Sequence, residues 1–109
     1  MGAIIVAQNT ELANKVIDTM RTVYDPEIPV DIWELGLIYE VNINEANEVD
    51  IKMTLTSPSC PAAESMPAEV ETKVREVEGV ASSKVEIVFD PTWTQEMMSD
   101  VAKLELGFM

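Results

Sequence analysis

A chain of 109 residues, 47% hydrophobic and 25% charged, is long enough for one domain with a continuous core. Seven Lys and Arg against twenty Asp and Glu leave a formal charge of −13, a field that repels DNA, RNA and anionic membranes. Without histidine and with a single cysteine, His-based triads, a self-contained zinc site and an internal disulfide are all excluded. We read residues 1–109 as one domain, with residues 1–8 a flexible or loosely attached N-terminus. No apolar run approaches the ~20 residues that span a bilayer. The start Met1–Ala7 lacks the basic flank of a signal peptide, and a lone thiol suits a reducing cytoplasm.

In chain order, Asn9 or Thr10 caps a first helix whose face carries Leu12, Val16, Ile17, Met20 and Val23, and Asp25-Pro26 stops it. A loop with Pro26, Pro29 and the acids Asp25, Glu27, Asp31 and Glu34 follows, with a single turn over 31–35 that ends at Gly36. Leu37, Tyr39, Val41 and Ile43 alternate as one strand. Past a turn at 44–48, Val49, Ile51, Met53 and Leu55 alternate as its hairpin partner. The stretch 56–61 leads into a second helix with Ala63, Met66, Val70, Val74 and Val77 on one face, kinked or restarted at Pro67 and stopped at Gly79. A third strand runs to Phe89, and Thr94 caps a last helix with Met97, Met98, Val101 and Leu104 inward. The expected fold is α/β (α+β) in two layers, a small mixed three-stranded sheet with helices in the order α-β-β-α-β-α.

Two places can carry chemistry. Cys60 lies between a strand end and a helix start, where unpaired N–H groups and the helix dipole favour a thiolate. The alternative is a buried cysteine that simply packs. The acids Asp25, Glu27, Asp31 and Glu34 could hold a hard cation or a partner's basic residue, or could form a solvated acidic turn. Thr54 and Thr56 share the polar face of their strand, and Trp93 is read as closing the core beside the last helix.

Three segments in order resemble a known family. Asp25-Pro26-Glu27-Ile28-Pro29-Val30-Asp31-Ile32 with Leu35-Gly36-Leu37-Ile38-Tyr39 is similar to the first motif of the SufT-type and PaaD-like metal–sulfur cluster assembly proteins. Thr54-Leu55-Thr56-Ser57-Pro58-Ser59-Cys60-Pro61 resembles their Thr-x-Thr…Cys-Pro segment, and Asp90-Pro91-Thr92-Trp93 their Asp-Pro-x-Trp motif. The resemblance covers Leu12 to Met109 and implies a small α/β domain that helps mature iron–sulfur proteins. It carries Cys60 over as the functional thiol that binds the cofactor, and Asp25 and Glu27 as the acidic pair beside it and tentative metal ligands. Thr54, Thr56, Asp90 and Trp93 are carried over as supporting residues.

The expectation is therefore a cytoplasmic, non-enzymatic carrier or adaptor that delivers clusters to apo-proteins through Cys60. An iron–sulfur cluster or iron would be bound transiently, since one chain supplies one thiolate where a cluster usually takes four. Partners would be the assembly machinery and apo-clients, with no nucleic acid and no membrane, and the chain would be a homodimer. One alternative is an adaptor that binds no metal and recruits clients through its acidic and aromatic loops. Another is a redox-sensing thiol protein, disfavoured because the chain has no histidine to serve as base and no resolving cysteine.

Overall fold

The structure is a computed structural model and describes residues 4–7, 9–24, 30–55, 65–89 and 92–107. Its elements are β1 (Ile4–Ala7), α1 (Thr10–Met20), β2 (Ile38–Ile43), β3 (Glu48–Met53), α2 (Ser65–Arg75), β4 (Ser82–Ile87) and α3 (Asp100–Glu105). The strands form one mixed sheet in the order β1-β2-β3-β4. The mixed sheet-and-helix class stands, but the sheet has four strands rather than three and the element order begins with a strand. The N-terminal segment expected to be loosely attached supplies the extra strand, paired in parallel with β2 from Ile4 opposite Glu40 to Ala7 opposite Ile43. Four short, mostly exposed residues give no alternating pattern to read, so only pairing with β2 reveals the strand.

The hairpin forms for local reasons. Asn44 Oδ1 accepts from the N–H groups of Ala46 and Glu48, each at 3.0 Å, and Asn47 takes a left-handed φ of 63° that asparagine tolerates well. Val49, Ile51, Met53 and Leu55 are all buried, as the alternation of that strand predicts. In β2 the alternation is interrupted. Ile38 pairs with Met53 and Glu40 with Lys52, so Tyr39 is an extra residue in a β-bulge. The bulge puts Ile38 into the core beside Val41 and Ile43 and leaves Tyr39 half-buried, instead of on the same buried face as Leu37.

Asn9 caps α1 with its side chain on the Leu12 N–H at 3.1 Å, and Leu12, Ala13, Val16 and Met20 turn inward. The helix ends at Met20, short of the Asp25-Pro26 stop, because Tyr24 already pairs with Asp31 as extended backbone. α2 runs unbroken through Pro67, which stands in the first turn of the described helix, and buries Met66, Val70 and Val74. It is the crossover between the parallel neighbours β3 and β4, docked by Ser83 Oγ donating to the Glu71 carbonyl at 2.6 Å. α1 and α2 pack together over the apolar face of the sheet, while Asn42, Asp50 and Lys52 face solvent on the other.

The C-terminal helix departs from its expected form. Thr94 opens only a 3₁₀ turn at Gln95–Met97, without a side-chain cap. The backbone then extends through Met98 and Ser99, and Ser99 caps α3 with its side chain on the Ala102 N–H at 3.1 Å. This break changes the rotational register. Met98 and Ala102 are buried, whereas Val101 and Leu104, expected inward, are 58% and 67% exposed.

Ile51, central in β3 and 1% exposed, tests the core directly. Ile51→Ala should cost about 2–5 kcal/mol with the fold retained, read as a lower midpoint in urea unfolding.

Candidate functional site

One end of the sheet gathers the sequence motifs. A row of backbone hydrogen bonds crosses it: Ile32 N–H to Val23 O at 2.9 Å, Leu37 N–H to Ile32 O at 3.1 Å, Thr54 N–H to Leu37 O at 2.8 Å and Val88 N–H to Met53 O at 2.8 Å. Each motif segment borders this row. The first runs from Tyr24 to the turn before β2, the second leaves β3 at Thr54, and the third follows Phe89.

The turn over 31–36 is built as its sequence suggests. Asp31 Oδ2 accepts from the Glu34 N–H at 3.0 Å, so a carboxylate caps the turn. At the far end Gly36 N–H reaches Trp33 O and Leu37 N–H reaches Ile32 O, both at 3.1 Å, which is the Schellman closure. Gly36 has φ +78°, and a Cβ there would collide with the Met97 backbone carbonyl, whose carbon would lie 2.8 Å away. Glycine is therefore required twice over, for its dihedral and for the close approach of a second chain segment.

That second segment is 92–107, and it is fastened to the turn. Trp93 Nε1 donates to Leu35 O at 2.8 Å, the Ser99 N–H donates to Glu34 O at 2.8 Å, and the Tyr39 hydroxyl donates to Met97 Sδ at 3.4 Å. Trp93 thus packs against the core, as read from the sequence, and also carries a specific bond that only the fold reveals. Arg21 and Glu34 approach to 3.9 Å as an exposed ion pair.

Thr54, read as sharing the polar face of its strand with Thr56, is 1% exposed, and its Oγ1 has no hydrogen-bond partner of ordinary geometry among the described residues. The Tyr39 hydroxyl lies beside it. Burial raises the Tyr39 pKa above 10.0, and the Thr54 hydroxyl nearby offsets part of that rise. Burial likewise raises the Asp31 pKa above 3.8, outweighing the Glu34 N–H bond that favours its charged form, and the nearby Glu34 carboxylate adds to the rise.

Of the residues singled out in the sequence, Thr54 and Trp93 are therefore placed at this end of the sheet. Cys60, Asp25, Glu27, Thr56 and Asp90 lie outside the described residues. Among the described residues no trio of Cys, Asp and Glu is grouped to hold a metal ion, and no helix is long and apolar enough to cross a membrane. Asp31 and Glu34, named among the candidate acids, lie in the turn at this end, while Tyr39, Gly36 and Met97 belong to the assembly but were not singled out for it. A bulge and a contact across 58 positions of sequence leave no local signal.

A mixed sheet packed against helices, with described parts of its motif-bearing segments joined at one end, defines a small α/β protein. The model of the family described as iron–sulfur cluster assembly protein matches residues 13–87, and the chain belongs to that family. It is 48% identical over 94 residues to a Porphyromonas gingivalis protein named Fe–S protein maturation auxiliary factor, covering 86% of this chain and 90% of that one. It is 41% identical over 85 residues to the Staphylococcus aureus Fe–S protein maturation auxiliary factor SufT, covering 78% and 97%. A crystal structure of a domain of unknown function from Bacillus anthracis superposes with a TM-score of 0.85 at 38% identity, covering 92% of this chain and 95% of that one.

Two outcomes follow from this geometry. Gly36→Ala should lower stability by about 1–3 kcal/mol through its left-handed backbone alone, with the Met97 collision adding to it, as measured by urea unfolding. For Asp31, a folded pKa above the unfolded value means folding favours the protonated form. Its contribution to stability is greatest below the unfolded pKa and is lost as pH rises through the folded one. Asp31→Asn keeps a capping oxygen and removes the charge. The variant should be more stable than wild type at pH 7, with the gap closing as the pH is lowered towards 4.

Proposed function

We propose that the chain is an iron–sulfur maturation factor that takes an iron–sulfur cluster, or iron, as transient cargo on Cys60 and hands it to apo-proteins. The observation that carries this reading is the single thiol within a family whose named relatives mature Fe–S proteins. One thiolate per chain holds a four-thiolate cluster incompletely, so the remaining iron sites stay open to a second copy, to carboxylates or to the client. That is the coordination state suited to hand-off.

Asp25 and Glu27 are proposed as supplementary oxygen ligands for iron or as groups that tune the thiol. Carboxylates nearby raise a thiol pKa, whereas a helix N-terminus lowers it, and the balance sets how much thiolate is present at neutral pH. Thr54, Thr56, Asp90 and Trp93 are assigned to the site as supporting residues by their motifs. A homodimer would bring two thiols to one cluster. The setting is cytoplasmic, with the cluster assembly machinery and apo-clients as partners.

The geometry of the described part supports this division of labour. Trp93, Met97 and Ser99 fasten the third motif's segment to the first motif's turn, and Thr54 joins the second through the Leu37 carbonyl. Three segments tied to one sheet end give the motifs a common anchor.

Anaerobic reconstitution with ferrous iron and sulfide tests the reading. The wild type should develop charge-transfer absorption in the visible, and Cys60→Ser should lose it while its far-UV circular dichroism is unchanged. Equal chromophores in both proteins would exclude Cys60 as the cargo ligand.

A further inference from the structure

The two edges of the sheet are unlike. β4 forms one edge and carries Lys84 and Glu86, both exposed and standing opposite Asp50 and Lys52 of β3. Charged side chains are a common guard on an edge strand, because they disfavour pairing with a further strand. β1 forms the other edge as Ile4-Ile5-Val6-Ala7, and among the described strands it alone has no charged residue. Ile4, Ile5 and Val6 are 62%, 43% and 51% exposed. This edge is apolar, unguarded and open to pairing.

What the edge fits follows from its charge and its register. A strand without charge selects neither a basic nor an acidic segment; it suits another uncharged apolar strand, and a second copy of the chain supplies one. Copies that each carry −13 repel one another over most approaches, but β1 brings no charge to a seam. The one charged residue of the neighbouring β2 is Glu40, whose carboxylate lies 3.7 Å from Lys52 Nζ. Ile4 and Val6 stand opposite Glu40 and Asn42 on the open face of the sheet, while Ile5 and Ala7 stand opposite Val41 and Ile43 on the helix-covered face. Antiparallel neighbours in one sheet pair residues that share a face. A twofold axis perpendicular to the sheet meets that rule when Ile4 lies opposite the partner's Val6 and Ile5 opposite the partner's Ile5. That register uses all three exposed residues.

We infer that two copies of the chain join along β1, antiparallel and in that register, each contributing its four strands to one continuous sheet. Ile4 and Val6 of both copies then form one apolar cluster on the open face, and the two Ile5 side chains meet at the axis on the other. A seam four residues long makes a weak dimer whose population rises with concentration. The pairing uses neither Cys60 nor the motif segments, so it goes beyond the maturation-factor reading and does not depend on it.

Sedimentation velocity of the full chain over a wide range of concentration, with reductant present, tests the pairing. The sedimentation coefficient should rise with concentration, and the amide signals of Ile4–Ala7 in the ¹⁵N-labelled chain should shift over the same range. Val6→Lys and Leu104→Lys each replace an exposed apolar side chain and each change the net charge from −13 to −12. Val6→Lys should weaken the dimer about tenfold, because it puts a charge into the seam, while Leu104→Lys should leave it unchanged. Val6→Thr, uncharged and β-branched, should keep the dimer, which separates loss of pairing from loss of the strand. Cys60→Ser should dimerise like the wild type, so a missing chromophore in that variant bears on cargo alone. A monomer at every concentration overturns the inference and gives the edge to a different partner, such as an extended segment of another protein. A dimer that survives Val6→Lys, or that Leu104→Lys or Cys60→Ser disrupts, overturns it by placing the contact elsewhere.

Discussion

The close approach of Gly36 to the Met97 carbonyl is the contact on which the working end of this protein depends. A turn of six residues could not hold its place from its own hydrogen bonds, because each is worth only about 1 kcal/mol net in water. The C-terminal segment fixes it from outside with the Trp93 indole on Leu35 and the Ser99 amide on Glu34. Both bonds use backbone carbonyls near the end of the turn, the groups a short helical turn leaves unpaired. The same segment meets Tyr39 through Met97, so the bulge in β2 and the turn are held by one stretch of chain.

This junction links the fold to the chemistry proposed for it. The sheet is closed on one face by α1 and α2, and its core residues are almost all aliphatic or Met. The buried hydroxyls described are those of Ser83, which donates to the Glu71 carbonyl, and Thr54, at the end of β3, whose Oγ1 has no hydrogen-bond partner of ordinary geometry among the described residues. A buried unpaired hydroxyl costs stability, and folded proteins keep such groups where a function or a nearby polar network gives a reason. Its neighbour Tyr39 offers that network at the edge of the candidate site.

The parts of the fold legible in the sequence were those set by local rules. The Asn9 cap, the Asn44 turn, the strict alternation from Val49 to Leu55 and the Asp31-to-Gly36 turn each depend on residues within a few positions of one another. Those that were misread depend on distant partners. β1 is a strand only because β2 offers it an edge, and α1 stops early because Tyr24 pairs with Asp31. Val101 and Leu104 turn outward because the chain extends at Met98 to reach Glu34. For the candidate site, the motif residues were legible as motifs, but the covering of the polar strand face at Thr54 was not. A strand's alternation says which face a residue lies on and is silent about what covers that face.

By itself, the sequence determined the chemistry available to this protein: one thiol, no histidine, a surplus of thirteen negative charges, and membership of an iron–sulfur assembly family through residues 13–87. Composition and covalent order settle such things because no folding can add a ligand or change a formal charge. The tertiary structure decided which of those residues meet. The bulge at Tyr39, the burial of Thr54 and the clamp from Trp93 to Leu35 all depend on positions far apart in the chain. Contacts of that range follow from how the whole core packs, and no window of neighbouring residues contains the information to specify them.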